Sequence, residues 1–182
     1  MYGMVNKAVE EMVISQFDEE TWEKIKAKAA IEEEIFISNE SYPDDVTYRL
    51  VASASETLGL TSDQVLEAFG IHWVLHTALE GYGELLEAGG TTLPEFLLNL
   101  PSFHTRLTLI FPKLDPPTFK IKEFCDNSLR LHYYSQRPGL TSFVIGLLKG
   151  LGTMYKTQLD IALVNSRETG SDHEEFLLTW QT

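Results

Sequence analysis

Three residues with complementary chemistry alternate in the run Tyr133-Tyr134-Ser135-Gln136-Arg137. Side chains on a strand point to alternate faces, so an extended run would aim Tyr133, Ser135 and Arg137 at one object. A planar guanidinium flanked by two hydroxyls suits carboxylates. The same three side chains on the open face of an edge strand would also be ordinary. Upstream, His104 is accompanied by Leu97, Leu100, Leu107, Thr108 and Phe111 at −7, −4, +3, +4 and +7, which is one helical face. A neutral imidazole there could hold a metal; a core histidine with a satisfied ring is the other reading. An apolar ligand that carries both carboxylates and a metal centre would use both parts, and haem is such a ligand.

Other candidates carry less. His72 and His76 stand four apart on a helix, which is metal-ligand spacing, but Trp73, Val74 and Leu75 separate them and no third ligand is evident. His173 reads as a loop residue. His132 faces away from Tyr133 and reads as exposed. Cys125, the only cysteine, excludes an intrachain disulfide and a cysteine zinc cluster, and lies in a polar turn between strands. The chain has no nucleophile elbow, phosphate loop or dinucleotide fingerprint.

These residues need a scaffold. The 182 residues suggest one domain over 1–182. A 43% hydrophobic content is enough for a core. A net charge of −13 weighs against nucleic acid or an anionic membrane as partner. No apolar run approaches the roughly 20 residues of a membrane span. The first residues, MYGMVNKAVEEMV, bring acids where a signal peptide continues its apolar stretch. The expectation is a cytoplasmic protein without membrane insertion.

Residues 4–30 read as two helices broken near Ser15–Asp18, with a loop or extended segment at 34–38. A helix follows Pro43, with Asp44 and Asp45 in its first turn. Thr61-Ser62 caps the next, whose stripe is Leu66, Phe69, Trp73 and His76. A helix over roughly 93–111 carries His104, and Pro116-Pro117 stops helices. TFKIKEF and SLRLHYYSQR then alternate as strands around a turn at Asp126-Asn127. Gly139 opens an apolar helix, LTSFVIGLLKGLGTMY. TQLDIALVNSR and EEFLLTWQT close the chain as paired strands. The fold class is α+β: an N-terminal helical part, then β-β-α-β-β with about four antiparallel strands in one sheet.

With Tyr133-x-Ser135-x-Arg137, the histidine of LPSFHTRL, the prolines of LDPPTF and the helix GLTSFVIGLLKGLG in place, the chain resembles the H-NOX (haem–nitric oxide/oxygen binding) domains. These are the bacterial relatives of the haem domain of soluble guanylate cyclase. The resemblance runs from the N-terminus to the ETGSDH turn. It implies haem b (iron protoporphyrin IX) buried between the helical part and the sheet. His104 corresponds to the iron ligand, and Tyr133, Ser135 and Arg137 to the residues that grip the propionates. Pro117 and Val5 correspond to the residues that press the porphyrin out of plane. Val5, Val9, Trp73, Phe143 and Leu147 would line the distal pocket, with Met1 or Met4 nearby.

Oxygen-binding members place a tyrosine on the helix after the triad; residues 138–150 have none, and Phe143 takes the region. The resemblance thus implies a non-enzymatic sensor that binds nitric oxide and carbon monoxide and excludes oxygen. Breakage of the iron–His104 bond would move the helix and signal to a histidine kinase, a diguanylate cyclase or a chemotaxis receptor. The cysteine zinc site of some relatives should be absent. An oxygen-binding sensor and a haem-free interaction module are the alternatives.

Overall fold

The computed structural model describes residues 1–181. Helix α1 (Gly3–Gln16) ends where Phe17 leaves helical geometry, and α2 (Glu19–Lys28) begins as Asp18 accepts the Thr21 N–H at 2.7 Å. That bond satisfies one of the donors every helix leaves unpaired at its start. Residues 34–38 are loop. Helix α3 (Asp44–Leu58) follows Pro43 and stops at Gly59, whose φ of +67° is the left-handed conformation glycine tolerates. Thr61 and Gln64 close a reciprocal capping box on α4 (Ser62–His72).

One long helix is predicted from Ser62 onward, and the structure interrupts it. A wider π-helical turn covers Trp73–Ala78, and α5 (Leu79–Glu87) holds Tyr82 outside helical geometry (φ −143°, ψ 26°) between Gly81 and Gly83. A π turn adds a residue and rotates everything after it. The inward stripe therefore runs Leu66, Phe69, Trp73, Ala78, Tyr82, Leu86. His76, expected on that stripe, is exposed.

Helix α6 (Leu93–Ile110) is capped by Thr92 and carries Pro101 inside it. Strands β1 (Thr118–Cys125) and β2 (Ser128–Tyr134) form a hairpin around Asp126-Asn127, with Cys125 exposed as the last residue of β1. Helix α7 (Thr141–Met154) precedes β3 (Leu159–Asn165) and β4 (Glu174–Trp180). The sheet is antiparallel in the order β1-β2-β4-β3. Several boundaries differ from expectation, β3 among them, which is shorter than the expected 157–167. Strand β2 stops at Tyr134, short of Arg137. Helix α7 starts at Thr141, because Gly139 takes φ +70° in the turn before it. Strand β4 ends at Trp180, and Thr182 of the expected strand lies outside the described residues.

Two apolar clusters form. Val9, Trp22, Ile25, Leu50 and Phe69 belong to the helical one; Leu97, Leu129, Val144, Phe176 and Leu178 belong to the one against the sheet. Trp73 packs against both. Helices α4 and α7 meet through glycines. A Cβ on Gly70 would lie 2.3 Å from the Phe143 carbonyl oxygen, and one on Gly146 would lie 2.1 Å from that of Glu67. No helix among the described residues is long and apolar enough to cross a membrane.

Candidate functional site

A cavity of about 500 Å³ opens between the two clusters, within the size range of pockets that hold small molecules and cofactors. Its wall is mostly apolar, and the polar side chains gather at a few places.

The first is His104. Its Nδ1 lies 3.0 Å from the Leu100 carbonyl oxygen, one turn back on α6. A carbonyl only accepts, so Nδ1 carries the proton and Nε2 keeps its lone pair. Among the described residues the only hydrogen bond of the His104 ring is the one at Nδ1. His104 faces the cavity with Leu100, Phe103 and Leu107. Its ring packs on Phe119 at 5.1 Å. Burial lowers its pKa against the help of the Leu100 bond, so the ring stays neutral. A neutral imidazole with one nitrogen anchored and the other bare is what a metal ligand requires.

The second place is Tyr133, Ser135 and Arg137, all on the cavity wall. They do not get there by strand alternation, because only Tyr133 lies in β2. Ser135 Oγ accepts the Arg137 N–H at 3.0 Å, and this turn swings Arg137 back over the cavity. Arg167 holds the turn from behind. Its Nη1 donates to the Ser135 carbonyl (2.8 Å), its Nη2 to the Arg137 carbonyl (3.0 Å), and its Nε pairs with the fully buried Glu174 (2.9 Å). Arg137 itself pairs through Nε with Asp44 (2.7 Å) and through Nη1 with the Asp115 carbonyl (2.7 Å). Burial raises the pKa of the Tyr133 phenol, which remains a donor. Asp44 also accepts from the amino nitrogen of Met1 at 2.5 Å. Burial opposes its ionisation, but the bonds from Met1 and Arg137 prevail and its pKa is lowered.

The remaining expected residues mostly join this wall. Met1, Met4, Val5, Trp73, Pro117, Phe143 and Leu147 all line the cavity. Phe143 stacks on Phe69 (5.0 Å), and Trp73 meets Phe69 edge-on (6.0 Å). Val9 is the exception. It is not on the wall but fully buried in the helical cluster, because it lies one turn beyond Val5 on α1 where that helix packs inward.

Sequence reasoning missed Tyr82, which also lines the cavity. Its ring meets Phe111 at 5.9 Å and its hydroxyl lies 3.8 Å from the Met4 sulfur. The Gly81 and Gly83 flanks were the available signal. Asp44 and Arg167 were missed as well, since an acid in a first helical turn and a loop arginine are common.

The donor set suits an apolar, carboxylate-bearing group with a metal centre. His104 offers one bare nitrogen, apolar walls enclose the space, and a guanidinium with a phenol and a hydroxyl stands at the edge. The residues present therefore fit haem.

Known proteins resemble the chain in the same sense. A family model described as Haem-NO-binding matches residues 2–163. The soluble guanylate cyclase gcy-32 of Caenorhabditis elegans is 32% identical over 98% of this chain, and gcy-35 of the same organism is 30% identical over 98%. The match spans only 28% and 26% of those cyclases. Among solved structures, an H-NOX protein from S. oneidensis in the Fe(II)NO state superposes with a TM-score of 0.90 over all of both chains at 20% identity. The unliganded Fe(II) H-NOX protein from K. algicida gives 0.88 over 100% of this chain and 97% of its own, at 23% identity. At those identities the structures speak for the fold.

Proposed function

The chain belongs to the haem-NO-binding (H-NOX) family, and from that premise we propose that it is a nitric oxide sensor built on haem b. In this reading it binds nitric oxide and carbon monoxide, excludes oxygen, performs no catalysis itself, and signals to a separate protein. A histidine kinase, a diguanylate cyclase or a chemotaxis receptor fits that role. The observation that carries the reading is the bare Nε2 of His104 in an apolar cavity whose edge is set with Tyr133, Ser135 and Arg137.

When bound, the haem iron supplies the position at which a diatomic gas is held. The chain's residues do the rest. His104 offers its lone pair. Arg137, Tyr133 and Ser135 donate to carboxylates, and Arg167 fixes the turn that presents two of them. A hydrogen-bond donor on the wall would favour oxygen, which gains charge on binding, whereas nitric oxide would not require one. The Phe69–Phe143 stack and Leu147 offer no donor, so in this reading that part of the wall selects by omission. His104 sits on α6, so in this reading a change at its Nε2 would act on that helix.

The alternative, oxygen binding, has one observation in its favour: Trp73 and Tyr82 are donors on the wall. Tyr82 packs on Phe111 and sets its hydroxyl 3.8 Å from the Met4 sulfur, and Trp73 meets Phe69 edge-on at 6.0 Å. Absorption spectra of the reduced protein alone, in air and with nitric oxide test the reading. Nitric oxide should change the spectrum and air should not, beyond slow oxidation. A colourless protein that takes up no added haem would refute the haem reading, and a stable new spectrum in air would select the oxygen sensor.

A further inference from the structure

Behind Tyr133, on the opposite face of the sheet, lies a cluster that the cavity does not use. His132, expected to be exposed, is 7% exposed. It is paired in register with Glu175 on β4, which is 8% exposed. His173, in the turn before β4, sets its Nε2 2.6 Å from the Nδ1 of His132. One ligand atom from each of His132, His173 and Glu175 falls within 4.8 Å of the other two. From this geometry we propose that His132, His173 and Glu175 form a binding site for one divalent transition-metal ion of the zinc type.

The hydrogen bonds set the protonation states. His173 Nδ1 faces the Asp172 carboxylate at 2.5 Å and must carry a proton to bond it. That leaves Nε2 of His173 with a lone pair aimed at His132. A carboxylate bonded to the far nitrogen of a ligating histidine is the usual outer support of a zinc site. Between the two rings, one proton on His132 Nδ1 bridges to His173 Nε2. A metal ion takes the place of that proton, which moves to His132 Nε2 while the ring stays neutral, so the exchange releases no charge from the histidines.

Glu175 supplies the anionic ligand. Asn165 donates to it at 2.5 Å and Arg130 at 2.6 Å. Two imidazoles and a carboxylate match zinc, cobalt and nickel better than calcium or magnesium, which take oxygen ligands. Three protein ligands leave a fourth position for water. The acidic balance of the chain, −13, favours cation capture. Tyr134, stacked on His173 at 4.4 Å, holds that ring in place.

Purified protein stripped with a chelator and dialysed against zinc should retain close to one zinc per chain by elemental analysis. Zinc-edge absorption should show two imidazole nitrogens at about 2.0 Å. His173→Gln should weaken zinc retention at least tenfold without altering the fold, since that ring lies in a turn. Asp172→Asn should weaken it by a smaller factor, and His76→Gln should leave it unchanged. The proposal is overturned if the wild-type protein retains no zinc, if His173→Gln retains as much as wild type, or if His76→Gln abolishes retention. None of these readouts depends on haem.

Discussion

The Nδ1 of His104 and the carbonyl oxygen of Leu100 lie 3.0 Å apart within one turn of α6. This bond fixes the tautomer and leaves Nε2 as the free nitrogen facing the cavity. His104→Gly should therefore open a space in which added imidazole restores haem binding and the wild-type ferrous spectrum. An unchanged spectrum in His104→Gly without imidazole would show that another residue holds the iron.

Arg137 should dominate the grip on the haem carboxylates, because charge-assisted bonds outweigh those from neutral hydroxyls. Arg137→Ala should cost about 2 kcal/mol or more in haem binding, read as faster haem transfer to a scavenger protein. Ser135→Ala should cost less. Asp44→Asn breaks the 2.7 Å ion pair yet keeps the guanidinium, so its effect should also be smaller. Equal losses from Asp44→Asn and Arg137→Ala would mean that Arg137 works only as a tie to α3.

Under the proposed function, gas selectivity turns on the donors of the wall. Phe143→Tyr should raise oxygen affinity by about one to two orders of magnitude, matching a hydrogen bond to a charged group of roughly 1.5–3 kcal/mol. Tyr82→Phe and Trp73→Phe should leave nitric oxide binding unchanged. If the wild-type protein does hold oxygen, whichever of the two variants abolishes this identifies the donor.

The α4–α7 contact leaves no room for a methyl group. Gly146→Ala would press on the Glu67 carbonyl, and Gly70→Ala on that of Phe143. Backbone on both sides prevents relief by side-chain rotation, so each should destabilise the protein by about 1–3 kcal/mol. Because Phe143 is on the wall, Gly70→Ala should also shift the ligand spectrum. Wild-type melting in both variants would contradict this packing.

His72 is buried with its Nε2 unpartnered. Burial, and then the neighbouring His76, lowers its pKa. The unfolded chain binds this proton more readily, near the ordinary value of about 6.5. Protonation therefore costs no stability above that pH, and the folded state loses stability as pH falls from about 6.5 toward the ring's lowered folded value. His72→Leu should flatten this part of the acid slope in thermal unfolding between pH 8 and 5. At neutral pH it should gain about 1 kcal/mol by removing an unsatisfied buried nitrogen. An unchanged slope would assign the acid sensitivity elsewhere.

Much of this was legible in the residues. Apolar periodicity and caps such as Asp18, Thr61 and Thr92 marked the helices, because those signals act within a few residues. Alternation and the Asp126-Asn127 turn marked the β1–β2 hairpin for the same reason. His104 stood out by its place on an apolar face, and the structure puts it on the cavity wall. The spacing of Tyr133, Ser135 and Arg137 put them on one wall, but by the wrong route, since a serine–backbone turn aims two of them where a strand was expected.

Tertiary structure decided what depends on residues far apart in the chain. The π turn at Trp73–Ala78 puts Ala78 and Tyr82 on the wall in place of His76, and no local periodicity announces a single added residue. Val5 reaches the cavity while Val9 does not, a matter of what packs against each side of α1. Arg167 finds the turn it clamps only because β4 lies beside β2 and β3 beside β4. His132 became buried, and met His173 and Glu175, only when the antiparallel register of β2 and β4 set them side by side. Local chemistry sets each element and its face, while contacts across the chain set which faces meet.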